Sequence, residues 1–467
     1  MRNSIIITTA FVKGPRSRTS ILWAGGEAPC VLPVRIARAY IMVAWMFAFF
    51  ASMAAELMTT SVSAAGQQTN ELIAGPTIAI LRSDTNVTIL FKGTLQSAAA
   101  VTGPWNDVPN ASTPHQPGPV ELQRFYRART PDSIFASTSV VALTLIAPFQ
   151  NYFDLAYAGL PDGIFPPVRE KPYFDGSLQM TGFAFPISLR VRGNSSLQEC
   201  PFPKLKFKVS REQREGTPFF DAREVKIGTH CAEGGRGTIG RLREQIATFR
   251  EALAYETMGV LGFVTPRVRR ARIDYHDTTS TNTSPMAGWQ LTRDALILDD
   301  TEVVAARMGG RALDDEEVSA LTNANFNVQL ITDLQFFHAL LGNWDYKLST
   351  NGVALWNTEV IELANGDLLP MTSDFDLASW VTGLVRFMGP QSYHPELPDA
   401  DRQARYELEQ IKQRVSPAIF TAAMERFETN RSAIESQIGA SLLDEPGRSN
   451  CLRHVTAFYD AVNAVTR

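Results

Sequence analysis

No run of five like charges occurs in this 467-residue chain, which argues against a dedicated nucleic-acid binder. Cysteine is scarce, four in all, and its spacing matches no zinc site. The uncharged stretch 39–55 (AYIMVAWMFAFFASMAA) falls short of the ~20 residues that span a membrane. The six histidines form no ligand cluster, and His338 lies in an apolar segment where a packed ring is expected. What is present suffices for a core. Hydrophobic residues make up 45% and charged residues 20%, which excludes global disorder. The length suggests about two or three domains.

Arg35 and Arg38 precede the apolar stretch, and Ser63, Ala64 and Ala65 follow it. A positive flank, an apolar run and a small-residue exit make a secretory signal over about 34–65. The expectation is cleavage near Ala65, with translation starting at Val31 or Val34. Membrane contact is expected only through this segment if it stays uncleaved. Without residues 1–65, six basic and two acidic residues are gone and the net charge moves from −4 to −8. That balance favours solubility and disfavours anionic surfaces. In an oxidising compartment Cys200 and Cys231, which flank one β region, are expected to pair, leaving Cys451 free.

Residues 66–132 read as a small β-sandwich-like module of short strands between Gly, Pro, Asn and Asp clusters. From 133 the pattern changes. FPISLRVRGNSS alternates Ile187, Leu189 and Val191 against Ser188, Arg190 and Arg192. PKLKFKVS alternates Leu205, Phe207 and Val209 against Lys204, Lys206 and Lys208. Period two means half-buried strands. Five cations on one surface repel unless an anion sits there. A helix at about 240–260 carries the apolar stripe Leu242, Ile246, Phe249, Leu253 and Val260, with Glu256 at its edge and Glu251 opposite. VQLITDLQFFHALLG is an apolar helix ending at Gly342, and further helices are expected at about 401–414, 417–438 and 446–466.

Residues 343–376 carry the chemistry. Asp345 opens a loop after a helix, Lys347 follows at two residues and Asn351 at six. A hairpin returns the chain to Asp374-Phe375-Asp376. An Asp that accepts a hydroxyl proton, a nearby Lys that neutralises a phosphoryl group, and Asn and Asp oxygens for Mg²⁺ are the parts of kinase-type phosphoryl transfer. The upstream lysine strand and a helical glutamate supply the clamp on nucleotide phosphates. Lys206 or Lys208 stands for the lysine, and Glu256 or Glu251 for its partner.

The stretch from about 136 to 380 resembles the CotH-like family of spore-coat and secreted atypical protein kinases. The resemblance rests on RVRGNSS followed by PKLKFKV, on REALAYETMGVLG followed by PRVRRARI, on LLGNWDYKLSTN and on SDFDLAS. It implies an α+β fold with a bilobal kinase-like domain over 133–467: a strand-rich lobe with one helix to about 293, then a helical lobe. It implies ATP with Mg²⁺ or Mn²⁺ and a secreted or surface protein as substrate, with the chain itself secreted, periplasmic or at the cell surface. Carried over by motif, Asp345 is the catalytic Asp, assisted by Lys347. Asn351, Asp374 and Asp376 are metal ligands, and Lys206, Lys208, Glu256 and Arg192 belong to the nucleotide site. The chain departs from ordinary kinases in having RGNSSLQECPFP in place of a GxGxxG loop and no His-Arg before Asp345. The competing readings are an inactive pseudokinase and a surface or matrix adhesion module.

Overall fold

The computed structural model describes residues 77–82, 87–109, 111–117, 124–157, 171–193, 200, 202–229, 247–281, 286–348, 355–383 and 400–466. The chain divides into two units, 1–72 and 73–467, and every described residue belongs to the second. The 39–55 stretch, Cys231 and Asn351 lie outside the described residues. Among the described residues no helix is long and apolar enough to cross a membrane.

Short alternating segments bounded by turn residues give two small antiparallel sheets at the start. Strand β1 (Thr77–Arg82) pairs with β2 (Val87–Lys92). Strand β3 (Thr94–Ala98) lies between β4 (Asn106–Asp107) and β5 (Phe125–Arg129). Ile89, Phe91 and Leu95 form their shared core.

Seven strands then close into a barrel: β6 (Val141–Ala147), β7 (Phe174–Met180), β8 (Phe183–Val191), β9 (Leu205–Lys208), β10 (Glu224–Thr229), β11 (Val268–Asp277) and β12 (Gln290–Asp299). Their spatial order is β10-β12-β11-β6-β7-β8-β9, and β9 returns to β10 through Phe207 opposite Val225. Only β6 and β11 run parallel; the other pairs are antiparallel. Alternation explains the inside. Val141, Leu143, Leu145, Ile187, Leu189, Leu205 and Phe207 are buried, and Phe219 and Tyr275 complete the filling. A helix, α1 (Phe149–Tyr157), sets Phe149 against Tyr275 and Phe153 against Phe202, with ring centroids 5.6 and 5.3 Å apart. The class is α+β, as the segment order implied. The barrel closure was not part of the expected bilobal arrangement, and β12 runs past the expected lobe boundary at 293.

Helix α2 (Ala247–Val260) is buried nearly all round. It shares one core with Leu296 and Leu298 of β12 and with the C-terminal helices. Those are α4 (Val328–Leu341), which follows α3 (Thr301–Arg307), and then α5 (Ala400–Arg414), α6 (Pro417–Ala440) and α7 (Glu445–Thr466). Trp380, Tyr459, Phe336, Phe337, Phe375, Phe427 and Phe458 are its largest buried rings. Asn327 caps the start of α4 by accepting from the Leu330 N–H at 3.1 Å. Gly342 ends it in the left-handed region, φ 57°, where a Cβ would meet Ser379 at 3.0 Å. A further three-stranded sheet places β13 (Gly310–Ala312), β14 (Thr358–Leu363) and β15 (Leu368–Thr372) side by side. Lys226 of β10 ties barrel to hairpin, donating to Thr301 Oγ1 at 3.0 Å and Glu359 Oε1 at 3.1 Å.

Cys200 is disulfide-bonded, while Cys451 is free and buried, its thiol pushed up to about 12 by burial. Non-reducing peptide mapping should recover a Cys200–Cys231 peptide with Cys451 alkylated only after unfolding. Recovery of Cys451 in any linkage would refute the pairing.

Candidate functional site

The β14–β15 hairpin, turned at Asn365-Gly366, sets the geometry. Thr358 faces Thr372, and one step further the Ser373 N–H donates to the Asn357 carbonyl at 2.9 Å. The ladder therefore ends between Asn357 and Asp374. Both stand at positive φ, 50° and 62°, and they are the only such non-glycine residues among those described. Left-handed backbone costs free energy outside glycine and clusters at functional sites.

Asp345 is buried and held from several sides. Its Oδ1 accepts from Trp356 Nε1 at 2.8 Å and its Oδ2 from Asn357 Nδ2 at 3.1 Å. Asn357 Nδ2 also reaches the Asp345 carbonyl at 2.7 Å. The Asp345 N–H donates to Asn343 Oδ1 at 3.1 Å, and Asn343 Nδ2 lies 3.0 Å from His338 Nδ1. His338 is fully buried and stacks on Tyr346, ring centroids 3.5 Å apart; burial pulls its imidazole down to about 3, so it stays neutral. Lys347 pairs its backbone with Trp356 at 3.0 and 3.2 Å.

On the other side of the hairpin, Lys204 bridges the two carboxylates of the Asp374-Phe375-Asp376 turn. Its Nζ contacts Asp374 Oδ1 and stands 2.9 Å from Asp376 Oδ2. Helix α2 supports this turn. The Asp374 N–H donates to Tyr255 Oη at 2.9 Å, and the Tyr255 ring packs on Phe375 with centroids 4.9 Å apart. One helical turn earlier, Glu251 is buried within the field of the same groups.

Three acidic side chains thus crowd Lys204. Burial pushes the Glu251 carboxyl up to about 8; Asp376 and Asp374 add to this, and Lys204 opposes it. Burial works against the charge on Lys204 too, but Asp374, Asp376 and Glu251 outweigh it and lift the ammonium above its usual value. Unfolding returns Glu251 to about 4.5, so the fold holds a proton that the unfolded chain releases. Its contribution is full below about 4.5 and is lost as pH rises through about 8. Urea unfolding from about pH 5 to 8.5 should show the wild type losing stability relative to Glu251→Gln. Parallel curves would place Glu251 outside the cluster.

Of the residues singled out from sequence, Asp345, Lys347, Asp374 and Asp376 come together around the hairpin's open end. Lys206 and Lys208 do not reach it. Lys206 donates to Asp300 Oδ1 at 3.1 Å and pairs with Glu224. Lys208 pairs with Glu224 at 3.0 Å and lies 4.2 Å from the Tyr173 ring centroid. Glu256 forms a two-pronged pair with Arg270 of β11, 3.0 Å for one prong. Lys204 contacts the Asp374-Phe375-Asp376 turn instead, with Glu251, the other glutamate considered, in the same field. The lysine face is balanced by carboxylates of the chain itself, Glu224, Asp300, Asp374 and Asp376, which the strand pattern did not reveal. Arg192 adjoins Lys204 through its backbone N–H, 2.8 Å from the Lys204 carbonyl.

Among the described residues no three His, Cys, Asp or Glu side chains form a metal-holding group. The chemistry of the donors nevertheless suits a hard divalent cation: Asp374 and Asp376 offer oxygen, and the carboxylates around Lys204 outnumber it.

No protein-family model matches the chain, and no curated protein sequence matches it. Among solved structures, the crystal structure of a Helicobacter pylori proinflammatory kinase, CtkA, is similar over 56% of this chain and 94% of its own. The identity is 10% and the TM-score 0.29, a likeness that fixes neither fold nor activity.

Proposed function

We propose that this chain is an exported atypical kinase of the CotH-like type, moving the γ-phosphate of ATP to a hydroxyl of a secreted or surface protein. The observation that carries the reading is the shared residue Asn357. Its side chain holds the Asp345 carboxylate, and its carbonyl bonds Ser373, the neighbour of Asp374. A proton acceptor and a pair of metal-type oxygens thereby lie at one end of one hairpin.

In this reading Asp345 orients the acceptor hydroxyl and takes its proton. An ionised carboxylate has about four acceptor sites, so one fixed by Trp356 and Asn357 still serves as a base. Asp374 and Asp376, with Asn351 as a further candidate, would hold Mg²⁺ or Mn²⁺, which when bound neutralises phosphate charge. Lys204 is the nucleotide lysine in place of Lys206 or Lys208, with Glu251 behind it. Lys347 lies beside Asp345 to balance the transferring phosphoryl. Glu256 has a structural part through Arg270.

One observation favours the inactive alternative, a pseudokinase or matrix module: Lys204 already engages oxygens of both Asp374 and Asp376. Ligand-linked stability separates the two. The purified protein should gain about 2.7 kcal/mol with Mg-ATP or Mn-ATP at 100 times Kd, and lose that gain with EDTA. Transfer of label from γ-labelled ATP to a protein acceptor should accompany it. No shift at millimolar nucleotide supports the inactive alternative.

A further inference from the structure

Trp356 is the only exposed Trp, Tyr or Phe side chain among the described residues, with 46% of its surface open. Single exposed apolar side chains are ordinary in folded proteins. This one differs in how firmly it is held. Its backbone N–H donates to the Lys347 carbonyl at 3.2 Å, and its carbonyl accepts from the Lys347 N–H at 3.0 Å. Its Nε1 donates to Asp345 Oδ1 at 2.8 Å. The next residue, Asn357, stands in the left-handed region at φ 50° and holds the other Asp345 oxygen. A ring anchored at its backbone and at its nitrogen has little freedom left to lose when something packs on it.

Directly opposed residues of an antiparallel pair project to the same side. Lys347 and Trp356 are such a pair, and the indole bond sets the Asp345 carboxylate beside them. An open aromatic face, a proton-accepting carboxylate and an ammonium group therefore sit together. An acceptor hydroxyl has to come within about 2.6–3.2 Å of an Asp345 oxygen. The indole nitrogen already stands that close to Oδ1, so hydroxyl and indole would share one carboxylate. Along an extended peptide, side chains two residues apart point the same way, about 6.6–6.8 Å apart, whereas an adjacent one points to the other face. The side chain two residues from the hydroxyl is thus the one placed to meet the indole. An aromatic ring gains most there, since paired rings settle with centroids about 4.5–7 Å apart.

We propose that the open face of Trp356 is the acceptor platform of this site, and that it selects a peptide carrying an aromatic side chain two residues from its hydroxyl. The proposal rests on the phosphotransferase reading for the fate of the hydroxyl, not for the docking of the peptide.

The test uses glycine heptapeptides with one central serine. Phenylalanine is placed two residues before it, two residues after it, next to it, or nowhere. For wild type, one of the two-residue peptides should exceed the plain peptide in kcat/KM by about tenfold. Trp356→Gln keeps a donor for Asp345 but removes the ring, and should shrink that preference to within about twofold. Trp356→Phe keeps a ring without the donor and should retain most of it. Each preference is a ratio on one enzyme, so a changed folded fraction or a misaligned base cancels. The control Leu155→Gln alters an exposed apolar side chain on α1 and should leave the preference unchanged. If Trp356→Gln does not fold, Trp356→Leu should reduce the preference several-fold. Saturation-transfer NMR with the serine replaced by alanine and no nucleotide reads docking alone. Wild type should saturate the phenylalanine ring of the preferred peptide, and Trp356→Gln should not. No docking of either two-residue peptide by wild type overturns the proposal. So do a preference that survives Trp356→Gln and an adjacent phenylalanine that serves equally well. Trp356-dependent docking without phosphate transfer overturns the catalytic reading and leaves this one standing. Transfer without any ring preference does the reverse.

Discussion

Asp345→Asn should lower phosphate transfer by roughly 10²–10⁴-fold, the usual size of a general-base contribution, while nucleotide affinity barely changes. The substitution keeps the side chain's size and one oxygen. It turns the other position into a donor, facing either the Trp356 Nε1–H or the Asn357 amide, so a melting curve should accompany the rates. Asp374→Asn should act differently. Asparagine tolerates the left-handed backbone at φ 62°, so the change removes charge without adding strain. It should weaken Mg-ATP binding itself, with transfer lost as a consequence. Asp376→Asn shows which carboxylate of the turn is the stronger ligand. Wild-type transfer by Asp345→Asn would end the base assignment, whatever Asp374 does.

Glu256→Ala should cost about 3–5 kcal/mol of folding stability and leave nucleotide affinity unaltered in the folded fraction. Arg270 is 2% exposed, and its two terminal nitrogens both rest on Glu256. Truncating the carboxylate strands a buried guanidinium. Removing both charges, as Glu256→Gln with Arg270→Met, should recover much of the loss, because the penalty belongs to the unpaired charge. Urea unfolding of the single and double variants measures this. A loss under about 1 kcal/mol for Glu256→Ala, joined to weaker nucleotide binding, would return Glu256 to the site.

For the main secondary-structure elements, sequence was sufficient. Period-two alternation located β8 and β9, and apolar periodicity with Gly342 located α4. The helices expected at about 401–414, 417–438 and 446–466 are found as Ala400–Arg414, Pro417–Ala440 and Glu445–Thr466. Choosing between Glu251 and Glu256 was beyond a one-stripe reading. Such a reading assumes one buried face, and α2 is buried against both the strands and the helices. Lys204, Lys206 and Lys208 share one strand face, so their pattern is identical. Only carboxylates from distant segments, 374–376 on one side and 224 and 300 on the other, tell them apart. Barrel closure depends on β9 meeting β10 in register, a long-range pairing that neither strand's composition encodes. Asn357 gave no signal at all, since its part comes from a side-chain amide that meets Asp345 twelve residues away and a backbone bond to Ser373.

Lys204 immediately precedes β9, a strand of four residues bonded to β8 on one side and β10 on the other. A ring of seven paired strands has no free margin, so one stave cannot slide or peel without breaking two ladders together. Lys204 is thus mounted on a stiff wall. Its grip on Asp374 can be released in two ways: by swinging its own four-carbon stem, or by relaxing the left-handed turn that aims Asp374 at it. The barrel serves as the anvil of the site, and the compliance lies in one side chain and one strained peptide.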